Sequence, residues 1–130
     1  MCPWLDILIS RGVQFDIIGL SCNSDGPIVA WKENFDDLAV RYPQYGLIVA
    51  EYSYHKRELN DIIFNAPERR GLGSFIWEPT RHHEAIFDQP GPATSQATTH
   101  PGHHPRTGRF DTNALIDLYP RMARDYGNKN

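Results

Sequence analysis

Three short apolar runs, each followed by an amphipathic stretch, constrain this chain more than any other feature of its sequence. The runs cover residues 15–21, 47–52 and 74–77. They are too short for independent helices and rich in β-branched and aromatic residues. The first two are apolar on both faces. That pattern predicts strands buried in a parallel sheet, because a strand with one solvated face would alternate apolar and polar side chains.

The intervening segments read as helices. Leu5, Ile7, Leu8 and Ile9 form the last turns of one that stops near Gly12. Residues 23–27 carry turn chemistry. Trp31, Phe35, Leu38 and Tyr42 then recur at steps of four, three and four, with Lys32, Glu33, Asp36 and Asp37 between them. Pro43 stops that helix. Leu59, Ile62 and Ile63 mark the next one, ended by Pro67 and Gly71. A short helical stretch is expected at 81–88. Leu115, Ile116, Tyr119, Met122 and Tyr126 mark a last helix, which Pro120 should kink or divide. Residues 89–110 are rich in Pro, Gly, Thr and His without periodicity and read as an irregular insertion.

Strands alternating with helices give an α/β fold with a parallel sheet. A doubly wound sheet and part of a (β/α)₈ barrel both fit. In either, ligands bind at the C-terminal ends of the strands. No glycine-rich loop follows a strand, so a phosphate-binding motif is excluded.

The composition narrows the partners. The chain has 130 residues, 40% of them hydrophobic, enough for one small core. Its formal net charge of −3 gives no reason to expect a nucleic-acid or membrane partner. No run approaches the roughly 20 apolar residues of a membrane span. The first residues have neither the basic nor the apolar region of a signal peptide, and they enter mid-pattern, as a fragment would. Cys2 and Cys22 match neither a disulfide framework nor a zinc spacing; two free buried thiols are favoured over a single bridge between them.

The polar residues at the strand ends are 21–23, 51–54 and 77–78. Glu51 terminates a strand so apolar that its carboxylate should meet either solvent and substrate or a neighbouring Arg. Trp77 can stack on a sugar face or cap the core. Glu78 follows it and should point to the opposite side, toward the helices or a salt bridge. Tyr52 and Tyr54 divide between packing and hydrogen bonding. Carboxylates with aromatics at barrel strand ends suggest glycoside hydrolysis, which needs one carboxylate as nucleophile or base and a second as acid.

Particular strings extend this reading. GVQFDIIGLS at 12–21 resembles the strand-six region of the endo-β-1,4-galactanases, glycoside hydrolase family 53. WKENFDDLAVRY at 31–42 resembles the helix that follows it, LIVAEYSY at 47–54 strand seven, and GSFIWEP at 73–79 strand eight. Residues 118–127 resemble the closing helix. The resemblance covers roughly residues 5–88 and 111–127, with the strings in family order.

The resemblance implies the C-terminal portion of a (β/α)₈ TIM barrel, about strands six to eight with their helices, spanning 1–130 with the insertion at 89–110. It implies a retaining, cofactor-free endohydrolase of β-1,4-galactan or arabinogalactan. Glu51 matches the family's nucleophile. Trp77 matches a tryptophan lining the sugar subsite, and Tyr52 and Ser21 join it as substrate-binding candidates. The family's acid/base ends strand four, which has no counterpart in this chain, so the chain alone is expected to be inactive and to need the N-terminal part of the barrel as its partner. The full-length family is extracellular.

Two departures stand out. The polar segment at 22–25 replaces an aromatic-rich loop, which puts sugar contacts from it in doubt. The insertion holds His100, His103 and His104 on a background too irregular for a metal site, and no metal is expected. His82 and His83 read as a solvated helix start. The competing functions are a non-catalytic galactan-binding or pseudoenzyme remnant, and a truncated product without activity.

Overall fold

Each of the three apolar runs becomes a strand, and the strands lie side by side in chain order. The computed structural model describes residues 3–23, 26–80, 84–88 and 111–128. Helix α1 (Pro3–Ser10) leads into β1 (Ile17–Cys22), and α2 (Ile28–Arg41) into β2 (Gly46–Tyr52). Helix α3 (Lys56–Phe64) and a 3₁₀ turn (Pro67–Arg69) lead into β3 (Gly71–Ile76). The sheet order is β1-β2-β3, and both pairings are parallel. The chain is therefore α/β, with a three-stranded parallel sheet alternating with helices. The order fits a barrel segment and one half of a doubly wound sheet equally well.

The described residues fall into two compact units, Met1–Trp77 and Glu78–Asn130. In the first, α2 and α3 pack on each other, and α3 packs on β2 and β3. The core is Ile18, Cys22, Leu47, Val49 and Tyr52 from the strands with Phe35, Leu38, Leu59 and Ile63 from the helices. Burying one such side chain stabilises by about 1.5–3 kcal/mol, so this layer dominates the unit's stability. Arg70 secures its lower edge. Its guanidinium donates to the carbonyl of Ala39 in the last turn of α2 and to those of Tyr42 and Tyr45 in the loop that follows. Gly71 is required here: a Cβ at this position would lie 1.8 Å from the Ile63 carbonyl oxygen.

The two-sided apolarity of the strands does not translate into two buried faces. In β1, Ile18 and Cys22 are buried beneath the helices, while Ile17, Gly19 and Ser21 are exposed. Leu72 and Phe75 of β3 are 59% and 63% exposed. The sheet thus has a helix face and an open face. Along the open face Gly19 stands over Ile48 and Ala50, and Gly46 over Leu72 and Ile17, all close enough that an added Cβ would touch them. Beside β1, Trp4 and Leu8 of α1 join Phe15, Ile17 and Ile18 around an apolar cavity of about 260 Å³.

The second unit departs from expectation at 81–88. Its described part, from Glu84 on, is not helical: Phe87–Asp88 forms β4, antiparallel to β5 (Asp111–Thr112). The amides of Ile86 and Phe87 both donate to the Pro79 carbonyl, and Asn113 Nδ2 donates to the Ala85 carbonyl. These three hydrogen bonds, to two residues outside the segment, hold it out of a helix, and it is too short to offset their loss by forming one. The expected division near Pro120 is present. A 3₁₀ turn (Ala114–Asp117) precedes α4 (Leu118–Gly127), and Pro120 sits in the first turn of α4, where its missing N–H would have had no helical acceptor. Cys2, His82–His83 and the insertion at 89–110, with His100, His103 and His104, lie outside the described residues.

Candidate functional site

Glu51 reaches the open face through an irregularity that its neighbours do not announce. Strict alternation would place it with Leu47 and Val49 on the helix face. The β1–β2 register instead shifts between Leu20 and Ser21, so that Leu20 faces Val49 but Ser21 faces Glu51. Ala50 is the extra residue of a β-bulge. Beyond it the faces are exchanged: Glu51 shares the open face with Ser21, while Tyr52 and its partner Cys22 lie on the helix face, 1% and 0% exposed.

The carboxylate is half-buried at the C-terminal end of β2. Asn23, one residue beyond β1, donates through Nδ2 to Glu51 Oε2 at 2.7 Å. An amide donor to a carboxylate is charge-assisted and restricts its rotation. No cation is recorded on this carboxylate among the described residues; its recorded partner is the Asn23 amide.

Trp77 follows β3, and its backbone N–H donates to the Tyr52 carbonyl at 2.8 Å, which carries the pairing one residue past the strand. Ile76 pairs with Tyr52 on the helix face, so alternation turns Trp77, like Phe75, to the open face. The residue is 42% exposed. The loop after β2 fastens this end of the sheet. Ser53 Oγ donates to the Trp77 carbonyl at 3.4 Å, and the Lys56 ammonium donates to the Ser53 carbonyl. Ser53 and Lys56 are 1% and 4% exposed; the bond between them is buried and the one to Trp77 partly so. Glu78 has already left the strand. Its φ of 40° is left-handed and its side chain is exposed, so strand alternation no longer governs where it points.

The structure therefore brings Ser21, Glu51 and Trp77 to one face and one edge. Tyr52 does not join them; its hydroxyl accepts from Asn60 beneath α3. Two residues of this part of the sheet carry no assigned role from the sequence alone, although Asn23 stands among its polar strand-end residues at 21–23. Asn23 reads there as turn chemistry, and Phe75 as one more apolar strand residue. The only sequence signal for Asn23 is its place just past a strand end. No group of His, Cys, Asp or Glu among the described residues is arranged to hold a metal ion. The 260 Å³ cavity lies along the first half of β1, away from Glu51. No protein-family model matches this chain, and neither does any curated protein or solved structure. The likeness to the galactanases rests on the quoted strings.

Proposed function

We propose that this chain supplies the nucleophile half of a retaining β-1,4-galactan endohydrolase, as the last three βα units of its (β/α)₈ barrel. The observation that carries the reading is the bulge at Ala50, which turns the Glu51 carboxylate to the strand-end surface beside Ser21 and Asn23. The exposed apolar side chains of Ile17, Leu72 and Phe75 support it, since a barrel's remaining strands would cover that face. So does the apolar cavity beside β1, where a further strand would pack.

In this reading Glu51 attacks the anomeric carbon of a galactosyl residue. The C–O bond to the leaving sugar breaks as a glycosyl ester forms on the carboxylate. A second glutamate, about 5–5.5 Å away on an earlier strand, protonates the leaving oxygen and then activates the water that cleaves the ester. Trp77 presents its ring to the sugar face, and Ser21 offers a hydroxyl beside the attacked carbon.

The test is to join the chain to the five preceding strands of a galactanase and measure reducing ends released from β-1,4-galactan. Hydrolysis that disappears in Glu51→Gln is the expected result, because the amide is nearly isosteric but a poor nucleophile. Equal turnover in both proteins removes Glu51 from the role. A folded assembly that neither binds nor cleaves galactan removes the galactanase reading.

A second reading, non-catalytic galactan binding, draws on the exposed rings of Phe75 and Trp77, which need no catalytic partner. It predicts affinity for galactan that survives Glu51→Gln without any hydrolysis.

A further inference from the structure

We propose that Asn23 is the positioning residue for Glu51, holding one carboxylate oxygen so that the other faces the substrate; this rests on the nucleophile reading above. Asn23 Nδ2 donates to Oε2 at 2.7 Å from a residue 28 positions away in sequence, and Asn23 is itself exposed. Such a bond is not an incidental neighbour contact along one strand. It crosses from the end of β1 to the end of β2, directly beyond the Ser21–Glu51 pair, and it forms only because the bulge brings Glu51 forward.

The chemistry gives the bond a purpose. A glutamate side chain turns about three bonds, and a nucleophile must present one oxygen along the line of attack. Fixing Oε2 leaves Oε1 as the attacking atom and removes rotamers that would miss the carbon. A neutral amide does this through a directional hydrogen bond, without a full opposing charge. It thereby gives Asn23 a role that requires no aromatic side chain.

The experiment uses the full chain in two settings. In the ¹⁵N-labelled chain alone, the Asn23 side-chain amide protons should exchange with water more slowly than in Glu51→Ala. In the chain joined to the preceding galactanase strands, kcat and KM on β-1,4-galactan are compared for Asn23, Asn23→Ala and Asn23→Gln. A misplacement of about 1 Å can cost 10²-fold in rate, so Asn23→Ala should lower kcat by about that factor with KM little changed. Asn23→Gln keeps an amide donor on a longer arm and should recover part of the loss. Wild-type kcat in Asn23→Ala overturns the proposal and leaves Glu51's role standing. Equal losses in Asn23→Ala and Asn23→Gln with a raised KM also overturn it, since that marks a disturbed loop. Absence of hydrolysis in the wild-type assembly, with the slowed amide exchange present, overturns the nucleophile reading and this role with it.

Discussion

Ser21 of β1 stands opposite Glu51 of β2, and Ala50, the residue between Val49 and Glu51, has no partner across the two strands. That one unpaired residue separates a carboxylate on the open strand-end surface from a carboxylate forced beneath helices. A buried, unpaired carboxylate would cost several kcal/mol, so the bulge and the acidic residue belong together.

The bulge sets the depth of Glu51 as well as its face. Glu51→Asp keeps the charge and withdraws the carboxylate by one methylene. If Glu51 is the nucleophile proposed above, turnover of galactan in the joined barrel should fall about 10²-fold in Glu51→Asp and vanish in Glu51→Gln. Steady-state reducing-end assays on the purified variants check this. Turnover of Glu51→Asp near wild type would show that the carboxylate's position is not critical.

Trp77→Ala removes an exposed ring whose backbone, rather than its side chain, is tied to Tyr52 and Ser53. The fold should survive, and affinity for galactan oligomers should weaken about fivefold, corresponding to about 1 kcal/mol of aromatic contact. Titration calorimetry on the folded variant reads the change. A large drop in thermal stability with unaltered affinity would assign the ring to packing.

Gly71→Ala sets a methyl group against backbone: its Cβ would lie 1.8 Å from the Ile63 carbonyl oxygen, and neither α3 nor β3 can yield without losing contacts. Destabilisation by about 3 kcal/mol is expected. Gly46→Ala meets side chains rather than backbone, chiefly the exposed Leu72 at 2.6 Å with Ile17 in ordinary contact at 3.6 Å, and should cost less than about 1 kcal/mol. Urea unfolding of the two variants tests the contrast. Equal midpoints would mean that α3 sits less firmly on β3 than the structure has it.

Burial pushes the Cys22 thiol up from 9.0 to about 12. The thiol is fully enclosed and belongs to the helix face. It should resist alkylating reagents at pH 8 until the chain unfolds, because the thiolate is the reactive form. The same shift makes stability depend on pH. Below about pH 9 folded and unfolded chains both hold the proton, and the contribution is fully present. Above it the unfolded chain releases the proton first, so stability declines between about pH 9 and 12. Cys22→Ala should flatten that decline. Chemical denaturation at stepped pH provides the measurement.

Local periodicity determined most of this architecture. The three strands and the helices between them are legible from where Ile, Leu, Val and Trp recur, because backbone sterics and the apolar period act within a few residues. Glu51 and Trp77 are legible for the same reason: each closes an apolar run. The tertiary structure decided what short-range pattern does not encode. Leu47, Val49 and Glu51 share a parity in sequence, yet Glu51 lies on the other face, because β1 and β2 pair with an offset that only their joint packing sets. The same offset puts Tyr52 in the core and brings Asn23 to the carboxylate from 28 residues away. Phe87 and Asp88 join a two-stranded ladder with 111–112 rather than a helix, since their partners lie more than 20 residues on and cannot be inferred from a window that short. Composition and periodicity specify which segments are strands. Register, a relation between segments distant in the chain, decides which side chains meet at their ends.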